Sequence, residues 1–198
     1  PTTFFFIIKG SFFFNFLLII CFIVTIYEWH MMSKKKIYYP LGIFFLISSF
    51  YTAYFFREDS LLAFLFIIII CISTDIGGYT LGKLFKGPKL TKISPKKTYS
   101  GAFGGYFFSI ISINIFLSYN YLFNFRKIEF DIIIFILVIL ISSSSQLGDI
   151  IVSHFKRLSK IKDTGQIIPG HGGILDRIDG MIFAFPFSYS IYLIEKLL

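Results

Sequence analysis

Charged side chains are scarce in this sequence. Asp, Glu, Lys and Arg make up 15% of its 198 residues, against about 25% in an ordinary soluble domain, which excludes a water-facing globule. Cysteine is scarcer still. Cys21 and Cys71 both lie inside apolar runs, with no CxxC and no Cys/His spacing. A disulfide framework and a zinc site are therefore excluded, and both cysteines read as packing residues. No GxxxxGK[ST] and no GxSxG occurs, which removes the P-loop and the serine-hydrolase elbow. What the chain has instead is apolar: 56% hydrophobic, 21% aromatic, mean hydropathy +0.77. This composition predicts an all-α, polytopic transmembrane helical bundle of about six spans, one integral membrane domain over residues 1–198.

A span needs roughly 20 apolar residues. Six segments qualify: 4–27, 38–56, 61–81, 102–123, 132–147 and 178–197. Lys9 interrupts the first, and the fifth is short before its polar end. Tyr27, Trp29, Tyr38 and Tyr39 bracket the first loop, as interfacial aromatics do. Residues 11–27 have the length of a signal h-region, but no clear cleavage site follows and more spans do, so the segment reads as retained. The chain starts at Pro1 rather than Met, which leaves its N-terminus open. Of the 19 Lys and Arg residues, 14 fall in 28–37, 82–101 and 148–177, and 5 in the alternate segments. The positive-inside rule places the first set in the cytoplasm. The net charge of +8 is thus first a statement about topology and lipid contact, and no nucleic-acid partner is expected. Residues 1–72 hold the N-terminal spans, 73–180 a core with two long cytoplasmic loops, and 178–197 the last span.

Polar residues concentrate on that one face. In GDIIVSHFKRLSKIKD, residues 148–163, Asp149, Ser153, Lys156 and Lys160 fall at i, i+4, i+7 and i+11, one face of a helix. A solvated interfacial helix with snorkelling lysines would look the same, but an Asp at the membrane edge needs a cation or donor partner. In DTGQIIPGHGGILDRIDG, residues 163–180, Gly165, Gly170, Gly172, Gly173 and Pro169 exclude a regular helix. They predict a tight loop re-entering the last span, whose successive N–H groups could nest an anion. Asp176 and Asp179 then stand at i and i+3 on the opening turn of the last helix. Asp176 could equally be an N-cap there, with Arg177 snorkelling to headgroups. His171 stays open between phosphate donor, base and turn residue.

In residues 73–105, Asp75 sits near the end of span three, an expensive place unless paired, and six lysines follow in the loop. Lys83, Lys86 and Lys89 read as a plain positive-inside loop. Lys96 and Lys97, between Ser94-Pro95 and Thr98, read as positioned. Carboxylates that hold Mg²⁺, beside cations that hold phosphates, are the parts needed for phosphoryl or nucleotidyl transfer.

The run SHFKRLSKIKDTGQIIPGHGGILDRID, residues 153–179, has Ser153, Lys156, Arg157, Lys162, Asp163, Gly165, Pro169, His171, Gly172, Gly173, Asp176, Arg177 and Asp179 at fixed spacing. It resembles the full signature of the phosphatidate cytidylyltransferase (CDP-diacylglycerol synthase) family. Upstream, DIGGYTLG (Asp75, Gly78, Tyr79, Gly82) and SPKKT (Ser94 to Thr98) are similar to earlier motifs of that family. The resemblance covers roughly 73–180; the first two spans match only as hydropathy. It implies the reaction CTP + phosphatidic acid → CDP-diacylglycerol + pyrophosphate, by attack of the lipid phosphate oxygen on the α-phosphorus. It implies catalytic roles for Asp149, Lys156, Arg157 and Asp176, with Asp149 and Asp176 as Mg²⁺ carboxylates and a second cation left open. It implies substrate binding by Asp75, Lys96, Lys97, Ser153, Lys162, Asp163, His171, Gly172, Gly173, Arg177 and Asp179. The partners it implies are CTP, phosphatidic acid and the lipid bilayer, with a homodimer left open. The setting is a bacterial inner (plasma) membrane with the active site facing the cytoplasm.

Two positions depart from the family pattern. The family often has Glu where this chain has Ser100, and commonly has Glu at the position of Val152. Its members are also often longer, with additional N-terminal spans. Three other readings compete. A CDP-alcohol phosphotransferase uses a DGxxAR…G…D…D pattern that LDRIDG mimics only in flavour. A CTP-dependent polyprenol kinase would share the nucleotide chemistry. An anion transporter would carry its charges near the bilayer midplane and show inverted repeats; this sequence shows neither.

Overall fold

The computed structural model describes residues 11–91, 94, 97–119, 129–165 and 172–197. They form seven helices and no strand among them: α1 Ser11–Ser33, α2 Tyr39–Asp59, α3 Leu61–Phe85, α4 Tyr99–Tyr119, α5 Ile132–Leu158, the single turn α6 Leu175–Ile178, and α7 Met181–Leu197. Side chains that satisfy free N–H groups set several of the starts. Pro40 sits in the first turn of α2, where a missing N–H costs nothing. Ser60 ends α2 and begins α3 at once: its N–H donates to Phe56 O, and its hydroxyl accepts from Ala63 N at 3.2 Å. Asp131 caps α5 by accepting from Ile134 N at 2.9 Å.

Helices α1 to α5 are each long and apolar enough to cross a membrane. The chain is an integral membrane protein. Large apolar residues such as Phe12, Phe44, Phe103 and Ile132 face outward, as lipid-contacting positions do. The expected sixth span begins later than its apolar run suggests. Residues 175–178 turn separately as α6, and α7 starts at Met181 with 17 residues, about 26 Å of helix. The fifth span departs the other way. Its 27 residues make about 40 Å, more than the roughly 30 Å hydrocarbon core, so its last turns carry Asp149, Ser153 and Lys156 out beyond the apolar run. The helix stops at Leu158, and Lys160 adopts a φ of 59°. Lys160 therefore does not extend the Asp149–Ser153–Lys156 face that periodicity assigns it.

Two apolar clusters hold the bundle. One packs Phe14, Phe56, Phe64, Ile70, Val138 and Phe185; the other packs Trp29, Leu46, Val152, Leu175 and Ile182 beneath the polar end. Helices α3 and α4 meet backbone to backbone. A Cβ on Gly77 would stand 2.2 Å from Gly104 O, so only glycine admits that approach, as at close helix crossings in membranes. Gly148 on α5 works similarly: a Cβ there would stand 2.8 Å from Asp179 O. The α6–α7 joint thereby comes down beside Asp149.

Candidate active site

The ends of α1, α3 and α5 and the starts of α2, α4 and α6 meet at one end of the bundle. Tyr38 Oη lies 3.0 Å from Ser159 Oγ there, and Thr164 Oγ1 donates to Glu28 Oε2 at 2.9 Å. Into this end opens a cavity of about 470 Å³, within the usual range for small-molecule sites. Its wall brings together Asp75 and Tyr79 of α3, Lys97 and Thr98 ahead of α4, Asp149 and Lys156 of α5, and Asp163, Asp176, Arg177 and Asp179 of the final loop and turn. Segments far apart in sequence thus converge on one polar hollow.

Lys97 reaches it through a folded loop. Leu90 N donates to Lys97 O at 2.8 Å, Tyr99 N to Pro88 O at 3.1 Å, and Lys97 N to Ser94 O at 3.0 Å. Thr98 Oγ1 accepts from Gly101 N at 3.1 Å, capping α4 so that the chain enters the helix just after Lys97. The ammonium then lies 2.6 Å from Asp149 Oδ2, and Ser153 Oγ donates to Asp149 Oδ1 at 3.4 Å. Ser100, at a position departing from the family pattern, hydrogen-bonds Lys86 O and helps to close this loop. The other departing position, Val152, is buried in the apolar cluster with Trp29 and Leu175.

In the wall of the same cavity, Lys156 Nζ lies 2.7 Å from Asp176 Oδ1. Asp176 Oδ2 accepts from Thr164 N at 2.8 Å and Gly173 N at 3.1 Å. Burial alone would raise the Asp176 carboxyl. The hydrogen bonds from Lys156, Thr164 and Gly173 outweigh it and hold the group below the usual carboxylate range. Asp179, just before α7, is 8% exposed. Burial first, and then the neighbouring Asp149 carboxylate, push it well above that range, with Lys156 only partly offsetting them. Asp149 and Asp179 thus resist being ionised together, and a cation bound between them would relieve that repulsion.

The oxygen donors suit a hard divalent ion, which commonly takes one or two carboxylates and completes its shell with phosphate and water. Among the described residues no three acidic, His or Cys groups enclose an ion unaided. Carboxylates from α3, α5 and the α6–α7 turn do line one hollow, so the residues fit Mg²⁺ shared with a phosphate ligand.

Most candidates from the sequence meet here. Ser153 sits behind Asp149, and Gly173 supports Asp176 through its N–H. Gly172 turns the chain with a φ of 83°. Arg157 and Lys162 are exposed and lie outside the cavity wall; Arg157 donates to Ile161 O at 3.3 Å. Lys96 and His171 fall outside the described residues. Periodicity and motif spacing pass over Glu28, Thr164 and Gln146. For Glu28 a signal existed: it is the one acidic residue in the apolar stretch that becomes α1.

Comparison with known proteins bears on this arrangement. The profile of the cytidylyltransferase family matches residues 37–194. The chain belongs to the cytidylyltransferase family. It is 34% identical over 180 residues to a phosphatidate cytidylyltransferase of Rickettsia prowazekii (strain Madrid E), covering 84% of this chain and 76% of that protein. It is 38% identical over 173 residues to one of Staphylococcus epidermidis, covering 83% of this chain and 64% of the relative. A phosphatidate cytidylyltransferase of Staphylococcus aureus (strain COL) is 36% identical over 185 residues, with 88% and 67% covered. The chain thus spans about two thirds to three quarters of these relatives' lengths. Every cavity residue named above lies within the cytidylyltransferase match; Glu28 lies ahead of it.

Proposed function

We propose that this protein transfers the CMP moiety of CTP to phosphatidic acid, releasing CDP-diacylglycerol and pyrophosphate. The observation that carries this reading is the convergence of Lys97, Lys156 and Arg177 with Asp75, Asp149, Asp176 and Asp179 around one cavity at the end of a membrane bundle. The relatives named phosphatidate cytidylyltransferase support it.

The two reactants are both strongly anionic and repel each other. Lys97 and Lys156 both line the hollow, each held by a carboxylate at 2.6 and 2.7 Å. Ammonium groups fixed in this way meet phosphate without reorganising, which is the main way a protein stabilises charge in phosphoryl transfer. Lys156 and Arg177, both on the cavity wall, neutralise charge growing on the leaving pyrophosphate, with Arg157 adding positive charge from outside that wall. Lys96 and Lys97 hold substrate phosphates ahead of α4. A phosphate monoester is already a nucleophile at neutral pH, so no dedicated base is required.

Asp149 and Asp176 would hold Mg²⁺, which supplies charge neutralisation on the triphosphate when bound. Of the two, Asp149 is the more open: both Asp176 oxygens have donors within 3.1 Å. Asp179 and Asp75 leave acidic capacity for a second cation. Asp75, Ser153, Lys162, Asp163, His171, Gly172, Gly173, Arg177 and Asp179 take substrate-binding roles in this scheme. The 14-of-19 basic asymmetry supports a cytoplasmic site in a bacterial inner membrane.

The test is direct. Purified chain incubated with radiolabelled CTP, phosphatidic acid and Mg²⁺ should yield a labelled, lipid-soluble product that depends on the phosphatidic acid. Label released only as inorganic phosphate, or transferred to an alcohol with no phosphate monoester, would sink the reading.

A further inference from the structure

Glu28 is 1% exposed, and the scheme above gives it no task. It stands on α1, yet among the described residues its donors come from the signature segment more than 130 residues later. Oε2 accepts from Thr164 Oγ1 at 2.9 Å and Leu175 N at 2.8 Å, and Oε1 accepts from Ile174 N at 2.9 Å. The loop presses close: a Cβ on Gly173 would lie 2.4 Å from Oε2. A buried carboxylate is costly unless its hydrogen bonds are satisfied, so this one stands where only a double acceptor serves. The same short segment is gripped from its other side. Thr164 gives its hydroxyl to Glu28 and its N–H to Asp176, and Gly173 N also donates to Asp176. Glu28 and Asp176 thus clamp one loop between them, with Lys156 on the far oxygen of Asp176.

We propose that Glu28 is a positioning residue: from α1 it sets the height and direction of the α6 turn, so that Asp176, Arg177 and Lys156 face the cavity. Its meaning for turnover rests on the cytidylyltransferase reading; the clamp itself does not. Glutamine cannot replace it. Whichever way the amide is turned, its NH₂ faces a backbone N–H, Ile174 on one side or Leu175 on the other, and a buried donor is left unpaired.

The experiment uses the full chain in lipid nanodiscs as wild type, Glu28→Gln and Thr164→Val. Two quantities are read: the rate of tryptic cleavage after the exposed Lys160 and Lys162, and KM for CTP. A loss of folded molecules scales Vmax and leaves KM unmoved, whereas a misplaced turn changes KM. For Glu28→Gln the expected result is cleavage about 10-fold faster and KM about 10-fold higher, the loss that follows one unpaired buried donor. Thr164→Val, which removes one bond and keeps the carboxylate, should move both by about 3-fold. Wild-type values of both quantities in Glu28→Gln overturn the proposal, and faster cleavage at unchanged KM reduces Glu28 to a structural anchor and also overturns it. If Glu28→Gln does not insert, Thr164→Val decides by the same two readings. A wild type that makes no CDP-diacylglycerol, while Glu28→Gln still cleaves faster, upholds the clamp and removes the enzymatic reading.

Discussion

The site has two halves, and they are built differently. The α3–α4 half supplies Asp75 and Lys97, and its loop is shaped by groups within about thirty residues. Gly77 and Gly104 bring the two helices into backbone contact, and the loop between them closes on its own hydrogen bonds. The α5–α7 half supplies Asp149, Lys156, Asp176 and Asp179, but its loop is not self-supporting. It borrows Glu28 from α1, across 136 residues from Thr164. Among the described residues, four polar contacts join the halves: Lys97 to Asp149 at 2.6 Å, Thr74 Oγ1 to Ser142 Oγ at 2.8 Å, Tyr106 Oη to Ser143 Oγ at 2.9 Å, and Gln146 Nε2 to Ala102 O at 3.4 Å. A signature motif can therefore hold most of the chemistry and still depend on a residue outside the motif for its shape.

The largest effect should come from the charge-rich half. Asp149→Asn and Asp176→Asn keep shape and remove charge, and each should lower CDP-diacylglycerol formation by about 10²-fold or more, the scale of losing one preorganised electrostatic group. The folded fraction of Asp149→Asn, read by thermal melting, should hardly change, whereas Asp176→Asn, whose amide must face either Lys156 or two backbone N–H groups, should also melt lower. An N-cap tolerates Asn nearly as well as Asp, so near-normal turnover by both across a magnesium titration would return these residues to a structural role. Asp179→Asn touches the same cluster from behind and should cost roughly 10–100-fold; a loss as large as that of Asp149→Asn would promote it to a direct ligand.

The other half should break through packing. Gly104→Leu forces a side chain into the Gly77 backbone and should destabilise by about 1–3 kcal/mol, read as a lowered melting temperature, with no change in KM for the molecules that remain folded. A KM shift would mean that the α3–α4 contact tunes the cavity as well as building it.

Smaller still is the lysine comparison. Lys97→Ala should raise KM for CTP by about 10-fold, the scale of a charge-assisted hydrogen bond, while the exposed Lys86→Ala stays within about 2-fold. Equal small effects would reduce the whole loop to a topology signal. Least disturbing are single cysteines at Ser94 and Ser60 in a background without Cys21 and Cys71. They should label from opposite sides of the membrane; labelling from one side would undo the six-span arrangement and with it the cytoplasmic placement of both halves.

What could be read without coordinates was local. Apolar run length marks spans because a helix of about 20 residues matches the hydrocarbon core. Asp149, Ser153 and Lys156 recur at helical spacing, and the structure keeps them on one helix. The signature loop announces itself by glycine and charge in an apolar chain. Boundaries were softer: the single turn at Leu175–Ile178 and the late start of α7 depend on Gly148 and Asp179 meeting, and no residue within that segment encodes the contact. Lys160 matched the helical period, yet the chain turned away one residue earlier at Ser159.

Composition, span count, the crowding of basic residues into alternate loops and the identity of the signature belong to the sequence alone, because each is a sum or a short-range pattern. Which lysine meets which carboxylate is another matter. That Lys156 faces Asp176 and Glu28 holds the turn carrying Asp176 goes with the packing of α1, α2, α5 and α6 around Trp29, Leu46, Val152 and Leu175, and Lys97 faces Asp149 where α4 meets α5. Only tertiary structure decided this, because a hydrogen bond joins residues by position in space, and a buried carboxylate leaves no periodic trace along the chain to show where its donors will come from.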